Sequence, residues 1–90
     1  MLVSRHVRIA GRVQGVFFRA WTQQQAKELE VTGWVRNCPD GSVEAHLEGE
    51  QWPVQRLIEL LHRGPPSAAV ESVTDDAADF TRADRFEVSD

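Results

Sequence analysis

Gly11-Arg12-Val13-Gln14-Gly15-Val16-Phe17-Phe18-Arg19 joins a stretch that reads as a β-strand to one that reads as an α-helix. Upstream, Val3, Val7 and Ile9 alternate with His6, Arg8 and Ala10, the period-two signal of a half-buried strand, with Arg5 breaking the apolar face. Downstream, Phe18, Thr22, Ala26 and Leu29 recur at helical spacing, and no Gly or Pro interrupts the run to Glu30. The connection between them has the make-up of an anion cradle. Two glycines allow a tight turn and close approach of backbone to ligand, and the helix start presents unpaired N–H groups at the positive end of its dipole. Arg19 falls in the first helical turn, where a cation opposes the dipole by a few tenths to ~1 kcal/mol unless an anion offsets it. Its planar, permanently charged fork is suited to gripping two phosphoryl oxygens.

Val31 to Cys38 reads as a second strand, Pro39-Asp40-Gly41 as a turn, and Ser42 to Glu48 as a third strand with Val43, Ala45 and Leu47 on one face. Pro53 suits a first helical position. Val54, Leu57, Ile58 and Leu61 then follow helical spacing until Gly64-Pro65-Pro66 ends the run. Ala69 to Thr74 and Arg85 to Ser89 read as short strands around an Asp- and Ala-rich connection from Asp75 to Asp84. This order predicts an α+β, ferredoxin-like βαββαβ sandwich: an antiparallel sheet with two helices on one face and a short fifth strand extending it. In that topology the first and second strands run parallel with the third between them. Their carboxyl ends then share one edge of the sheet and bring Gly11 and Asn37 within roughly 10 Å of each other.

Ninety residues suit a single domain, residues 1–90, whose folding buries about 60–70% of the unfolded surface. The lone Cys38 excludes an internal disulfide and points to a reducing, cytoplasmic setting. No signal-peptide pattern or membrane span is expected, since no apolar run approaches the roughly 20 residues a bilayer requires. A net charge of −4, with Asp75, Asp76, Asp79 and Asp84 gathered late in the chain, argues against nucleic acid, which calls for a basic face. A small anion needs only a local positive site, and a monomer is expected.

Gly11 to Arg19, together with Gly33-Trp34-Val35-Arg36-Asn37 and the Asp40-Gly41 turn, resembles the signature of the acylphosphatase family, a GxVQGVxFR loop followed by a GWVxN strand and a DG turn. Weaker similarity runs over the whole chain, including Arg63-Gly64-Pro65-Pro66 and the closing strand near Phe86. The resemblance implies hydrolysis of the carboxyl-phosphate bond of small acyl phosphates, of the acetyl phosphate, carbamoyl phosphate or 1,3-bisphosphoglycerate type, to a carboxylate and inorganic phosphate. It implies no cofactor and no metal. Arg19 is then a catalytic residue that binds the phosphoryl group with the backbone N–H groups of residues 14 to 19, so that Gln14, Gly15, Val16, Phe17 and Phe18 contribute to substrate binding. Asn37 is the second catalytic residue and orients the attacking water. Where similar sequences have Gly after the first helix this chain has Glu30, and a left-handed cap there costs roughly 1 kcal/mol.

Other readings of the same residues stand beside these. The loop also suits a non-catalytic ferredoxin-like module that binds an anion or docks a partner, or a domain of a larger carbamoyl-transfer enzyme, although the chain's limits suit a free-standing domain. Asn37 suits capping of the adjacent turn. Arg12 reads as a solvated loop residue, and Arg36, of opposite strand parity to Asn37, points elsewhere. Cys38 reads as a small buried filler, because no His lies near it in sequence. His6, His46 and His62 lack the paired spacing of a zinc site. Trp21, Trp34 and Trp52 read as packing residues without the basic neighbours of a base-stacking platform.

Overall fold

The computed structural model describes residues 1–89. Its elements are β1 (Leu2–Arg12), α1 (Phe18–Glu28), β2 (Thr32–Asn37), β3 (Val43–Glu50), α2 (Gln51–Arg63), β4 (Ala69–Ala77) and β5 (Phe86–Ser89). The sheet order is β4-β1-β3-β2-β5. β1 pairs antiparallel with both β3 and β4, and β2 pairs antiparallel with β3. β5 joins β2 in parallel, so the expected antiparallel sheet becomes mixed at its short fifth strand.

Alternation sorts the two faces of this sheet. Val7, Ile9, Val35, Val43, Ala45 and Leu47 lie on one face and are fully buried with Phe18, Ala26, Val54, Leu57 and Leu61 from the two helices. α1 covers β2 and β5, while α2 covers β1, β3 and β4. The buried positions of α1, Phe18, Thr22 and Ala26, follow the i, i+4 spacing of the sequence.

Several boundaries shift. α2 begins at Gln51, so Pro53 is its third residue and not its first. Its missing N–H still falls among the donors that a first turn leaves without intrahelical partners. β4 runs past Thr74 to Ala77, because Asp75 and Asp76 continue the ladder opposite Val7 and His6. Asp75 also answers the charge of Arg5, with Arg5 Nε donating to its Oδ1 at 3.0 Å. The acidic connection is therefore shorter than its composition suggests, and it crosses from one edge of the sheet to the other.

Glu30 adopts φ 59°, as its place after α1 predicts. The N–H of Glu30 reaches the Lys27 carbonyl at 3.2 Å and that of Val31 the Ala26 carbonyl at 2.8 Å. This pair of bonds is the Schellman ending, which glycine usually occupies at lower cost.

Candidate active site

Register decides where Asn37 points. Val43 on β3 is flanked by Ile9 of β1 on one side and Asn37 of β2 on the other. Cross-strand partners share a face, so Asn37 lies on the helix-covered face at the carboxyl end of β2. Arg36, one residue earlier, lies on the opposite face. There it is ion-paired to Glu44, and its guanidinium sits 5.4 Å from the centre of the Trp34 ring.

The Gly11–Arg19 stretch divides its two glycines between two tasks. Gly11 belongs to β1, beside an irregularity in the β1–β4 register; at its φ of 125° a Cβ would stand 2.3 Å from the Ala69 carbonyl oxygen. It serves strand pairing and not the loop. Gly15 serves the loop, with φ 74° and open space where a side chain would be. Residues 14–17 form successive bends, and among the described residues none of their N–H groups donates to a backbone carbonyl.

Gln14 ties this loop to the β2–β3 turn, its Nε2 donating to the carbonyl oxygens of Cys38 and Ser42, each at 2.9 Å. The turn has its own lock. Asp40 Oδ1 accepts the Ser42 hydroxyl at 2.6 Å and the Ser42 N–H at 3.0 Å, which holds the Asp40 carboxyl below its usual value. Asp40, not Asn37, therefore caps the turn. Cys38 is half-buried, less enclosed than a filler, because it sits at the open end of the sheet.

Val13, Gly15, Phe17, Phe18, Arg19, Ala20, Asn37 and Val88 together line a cavity of about 330 Å³. Arg19 is the second residue of α1, half-buried, and its Nη1 donates to the Ser89 carbonyl at 3.0 Å. β5 thus closes one side of the cavity, held also by Gln23 Nε2, which donates to the Phe86 carbonyl at 3.0 Å. Of the loop residues singled out in the sequence, Gly15, Phe17 and Phe18 line the cavity. Val16 is buried in the core, and the Gln14 side chain is spent on the turn. Sequence reading missed the part of Val88 and Ser89, since the parallel pairing that delivers them leaves no local signature.

The other face of the sheet carries a second group of charged side chains. Glu44 is 5% exposed and accepts from His6 Nε2 at 2.8 Å as well as from Arg36. Burial pushes its carboxyl up, but the bonds from His6 and Arg36 outweigh this and leave it below its ordinary value. Glu48 is equally buried and meets His46 Nε2 at 2.6 Å, the Thr81 N–H at 3.0 Å and the Arg82 N–H at 3.1 Å, besides the Thr81 hydroxyl. Burial again opposes ionisation, yet these donors lower its carboxyl to about 2. His6 and His46 stand opposite each other in the ladder, each committed to a carboxylate. Among the described residues, no group of three or more His, Cys, Asp or Glu side chains is placed to hold a metal ion. Trp34 stacks on His46 and Trp21 packs edge-on against Phe18, whereas Trp52 is exposed. Among the described residues no helix is long and apolar enough to cross a membrane.

The chain is thus an α+β, ferredoxin-like sandwich whose first loop and second strand converge on one small cavity. The family model for acylphosphatases matches residues 5–88. The chain is 44% identical to an acylphosphatase of Alcanivorax borkumensis, over 98% of this chain and all of that one. It is 52% identical to an acylphosphatase of Nitrosococcus oceani over 89% of this chain and 90% of the relative. Its backbone superposes on the structure of an acylphosphatase from Coxiella burnetii with a TM-score of 0.94 at 40% identity, covering 98% of this chain and 93% of the other. The chain belongs to the acylphosphatase family and is a hydrolase of that class.

Proposed function

We propose that the cavity between α1, β2 and β5 binds the phosphoryl group of a small acyl phosphate and hydrolyses its carboxyl-phosphate bond. The observation that carries this reading is the convergence of Arg19, the bent loop 14–17 and Asn37 on one cavity. Arg19 and the N–H groups of residues 14 to 19 grip the equatorial phosphoryl oxygens. Asn37, across from them, orients a water for in-line attack on phosphorus.

As the new P–O bond forms, the bond from phosphorus to the acyl oxygen breaks and the carboxylate departs with its electron pair. The water's proton passes to a phosphoryl oxygen of the substrate, so a dianionic acyl phosphate and water give a carboxylate and dihydrogen phosphate. No Asp, Glu or His occurs between Gly11 and Thr22 to act as a base. Because a carboxylate is a good leaving group, fixed geometry and charge stabilisation supply most of what the reaction requires.

Phosphate release from acetyl phosphate in the presence of excess chelator tests this reading. Rapid release by the wild-type chain, lost in Arg19→Ala and Asn37→Ala variants that keep their circular dichroism, is the expected result. For Asn37→Ala, kcat falls more than KM rises, because water positioning matters chiefly in the transition state. Phosphate binding without turnover overturns the catalytic assignment.

A further inference from the structure

The β2–β3 turn begins where Asn37 ends β2, and its shape decides where Asn37 stands. The rung beyond the Asn37–Val43 pair is the bond from the Cys38 N–H to the Ser42 carbonyl, 2.8 Å long. A displacement of Ser42 therefore passes to Cys38 and to the peptide that carries Asn37. Gln14 holds this rung from the loop. Arg8 holds the same turn from β1, and neither the core nor the proposed chemistry gives that side chain a task.

Arg8 stands directly opposite Glu44 of β3, on the face of the sheet away from the helices. Its guanidinium reaches toward the end of the sheet. Nη1 donates to the Ser42 hydroxyl at 2.8 Å and stands 3.6 Å from Asp40 Oδ2, while Nη2 lies 3.5 Å from Glu44 Oε2. The Ser42 hydroxyl accepts from Arg8 and donates to Asp40, so the three groups form a chain with a charge at each end, and charge-assisted bonds are the stronger ones. Glu44 is buried and held by His6 and Arg36, which gives the fork of Arg8 a fixed base in the sheet. Folding gains little from this arrangement. The side chains of Arg8 and Asp40 are 43% and 66% exposed, much as those of Arg56 and Glu59 on α2 are at 46% and 68%, and ion pairs so exposed contribute little to stability.

We infer that Arg8 is a positioning residue for the reaction: through Ser42 and Asp40 its fork fixes the β2–β3 turn, and with it the placement of Asn37. This inference rests on the reading of Asn37 as the residue that orients the attacking water. The phosphoryl cradle of Arg19 and the loop lies on other elements, so loss of Arg8 lowers kcat and leaves phosphate binding in place.

The test measures kcat for acetyl phosphate, the inhibition constant of inorganic phosphate and the urea midpoint in Arg8→Met, Arg8→Lys and Arg56→Met. In Arg8→Met, kcat is expected to fall roughly 3- to 10-fold while the inhibition constant stays within about twofold of the wild-type value. Arg8→Lys keeps the charge but replaces the fork with a compact point donor, so its kcat should lie between those of Arg8→Met and the wild type. Arg56→Met removes an equally exposed ion pair and should leave kcat unchanged. In an Asn37→Ala background, Arg8→Met should change kcat by less than about twofold, because the group it positions is gone. A fall of less than about threefold in Arg8→Met, a parallel weakening of phosphate binding, or an undiminished loss in the Asn37→Ala background overturns the inference. Should Arg8→Met fail to fold, Arg8→Lys decides: a lowered kcat at unchanged phosphate inhibition sustains the inference, and a kcat equal to that of the wild type overturns it. Full activity in Asn37→Ala alone overturns instead the reading of Asn37 on which the inference rests, and the two failures are distinguishable.

Discussion

Arg36 and Asn37 are neighbours in β2, yet they belong to regions built on opposite terms. On the face of Arg36, the charged groups answer one another: Glu44 holds His6 and Arg36, and Glu48 holds His46 and the Thr81–Arg82 segment. Among the described residues, no buried side-chain nitrogen or oxygen is left without a partner. On the face of Asn37, no N–H group of the loop 14–17 donates to a backbone carbonyl among the described residues, and Phe17 stands in a strained conformation. Satisfied polar groups contribute to stability; donors held ready for a ligand contribute to binding. The difference predicts that changes on the two faces separate into effects on folding and effects on rate, Arg8 excepted because its fork leaves the face for the turn beside Asn37.

The largest expected effect is at the cavity. Arg19→Ala should lower kcat/KM for acetyl phosphate roughly a hundred- to a thousandfold, the cost of losing one well-aimed donor to developing charge, about 2.7–4 kcal/mol. Its urea midpoint should move little, and a large loss of stability in this variant would break the comparison.

Glu48 supplies the opposite case. Its carboxyl is lowered from 4.5 to about 2 in the folded chain. A depressed carboxylate stabilises the fold above the unfolded value, and that contribution disappears as pH falls from about 4.5 toward 2. The loss amounts to up to about 3 kcal/mol. Urea unfolding measured between pH 7 and pH 2 should show it in the wild-type chain and show a flatter profile in Glu48→Gln. The same variant should hydrolyse acetyl phosphate within about twofold of wild type at pH 7, since Glu48 lies on the face away from the cavity.

Gln14 stands on the cavity side but has a structural task there, since its amide fastens the loop to the turn beside Asn37. Gln14→Met keeps the size and removes the donors, leaving the Cys38 and Ser42 carbonyl oxygens only their backbone donors, the N–H groups of Gly41 and Cys38. A fall in kcat of roughly tenfold, with a smaller rise in the inhibition constant for inorganic phosphate, is expected from a misplaced loop. If Gln14 acts through the placement of Asn37, the effect shrinks in an Asn37→Ala background, and a full additive loss there removes that coupling.

The smallest effect is at Glu30. Glu30→Gly should raise stability by about 1 kcal/mol by removing a side chain from the left-handed position that ends α1. Activity should not change, and thermal unfolding together with an acetyl phosphate assay checks both halves.

How much of the fold was legible follows from where its signals lie. Val7 and Ile9 in β1, Val43, Ala45 and Leu47 in β3, and Val54, Leu57 and Leu61 in α2 show their buried faces as simple periods, and those faces are the core. Asp75 and Asp76 misled because their composition is that of a loop. The ladder with β1 and the nearby Arg5 make a strand of them, and both partners lie about seventy residues away in sequence.

Local chemistry settled the elements: alternation and helical spacing act between near neighbours, and so does the left-handed turn after α1 that Glu30 must take. The strand order, and with it the common edge of the loop and Asn37, followed from the same succession, because short connections leave few ways to pair these strands. Only the tertiary structure decided that Gly11 serves the sheet and Gly15 the loop, that Gln14 is spent on the turn, and that β5 brings Val88 and Ser89 to the cavity. Each of these depends on contacts between segments distant in sequence, whose geometry no single stretch of the chain encodes.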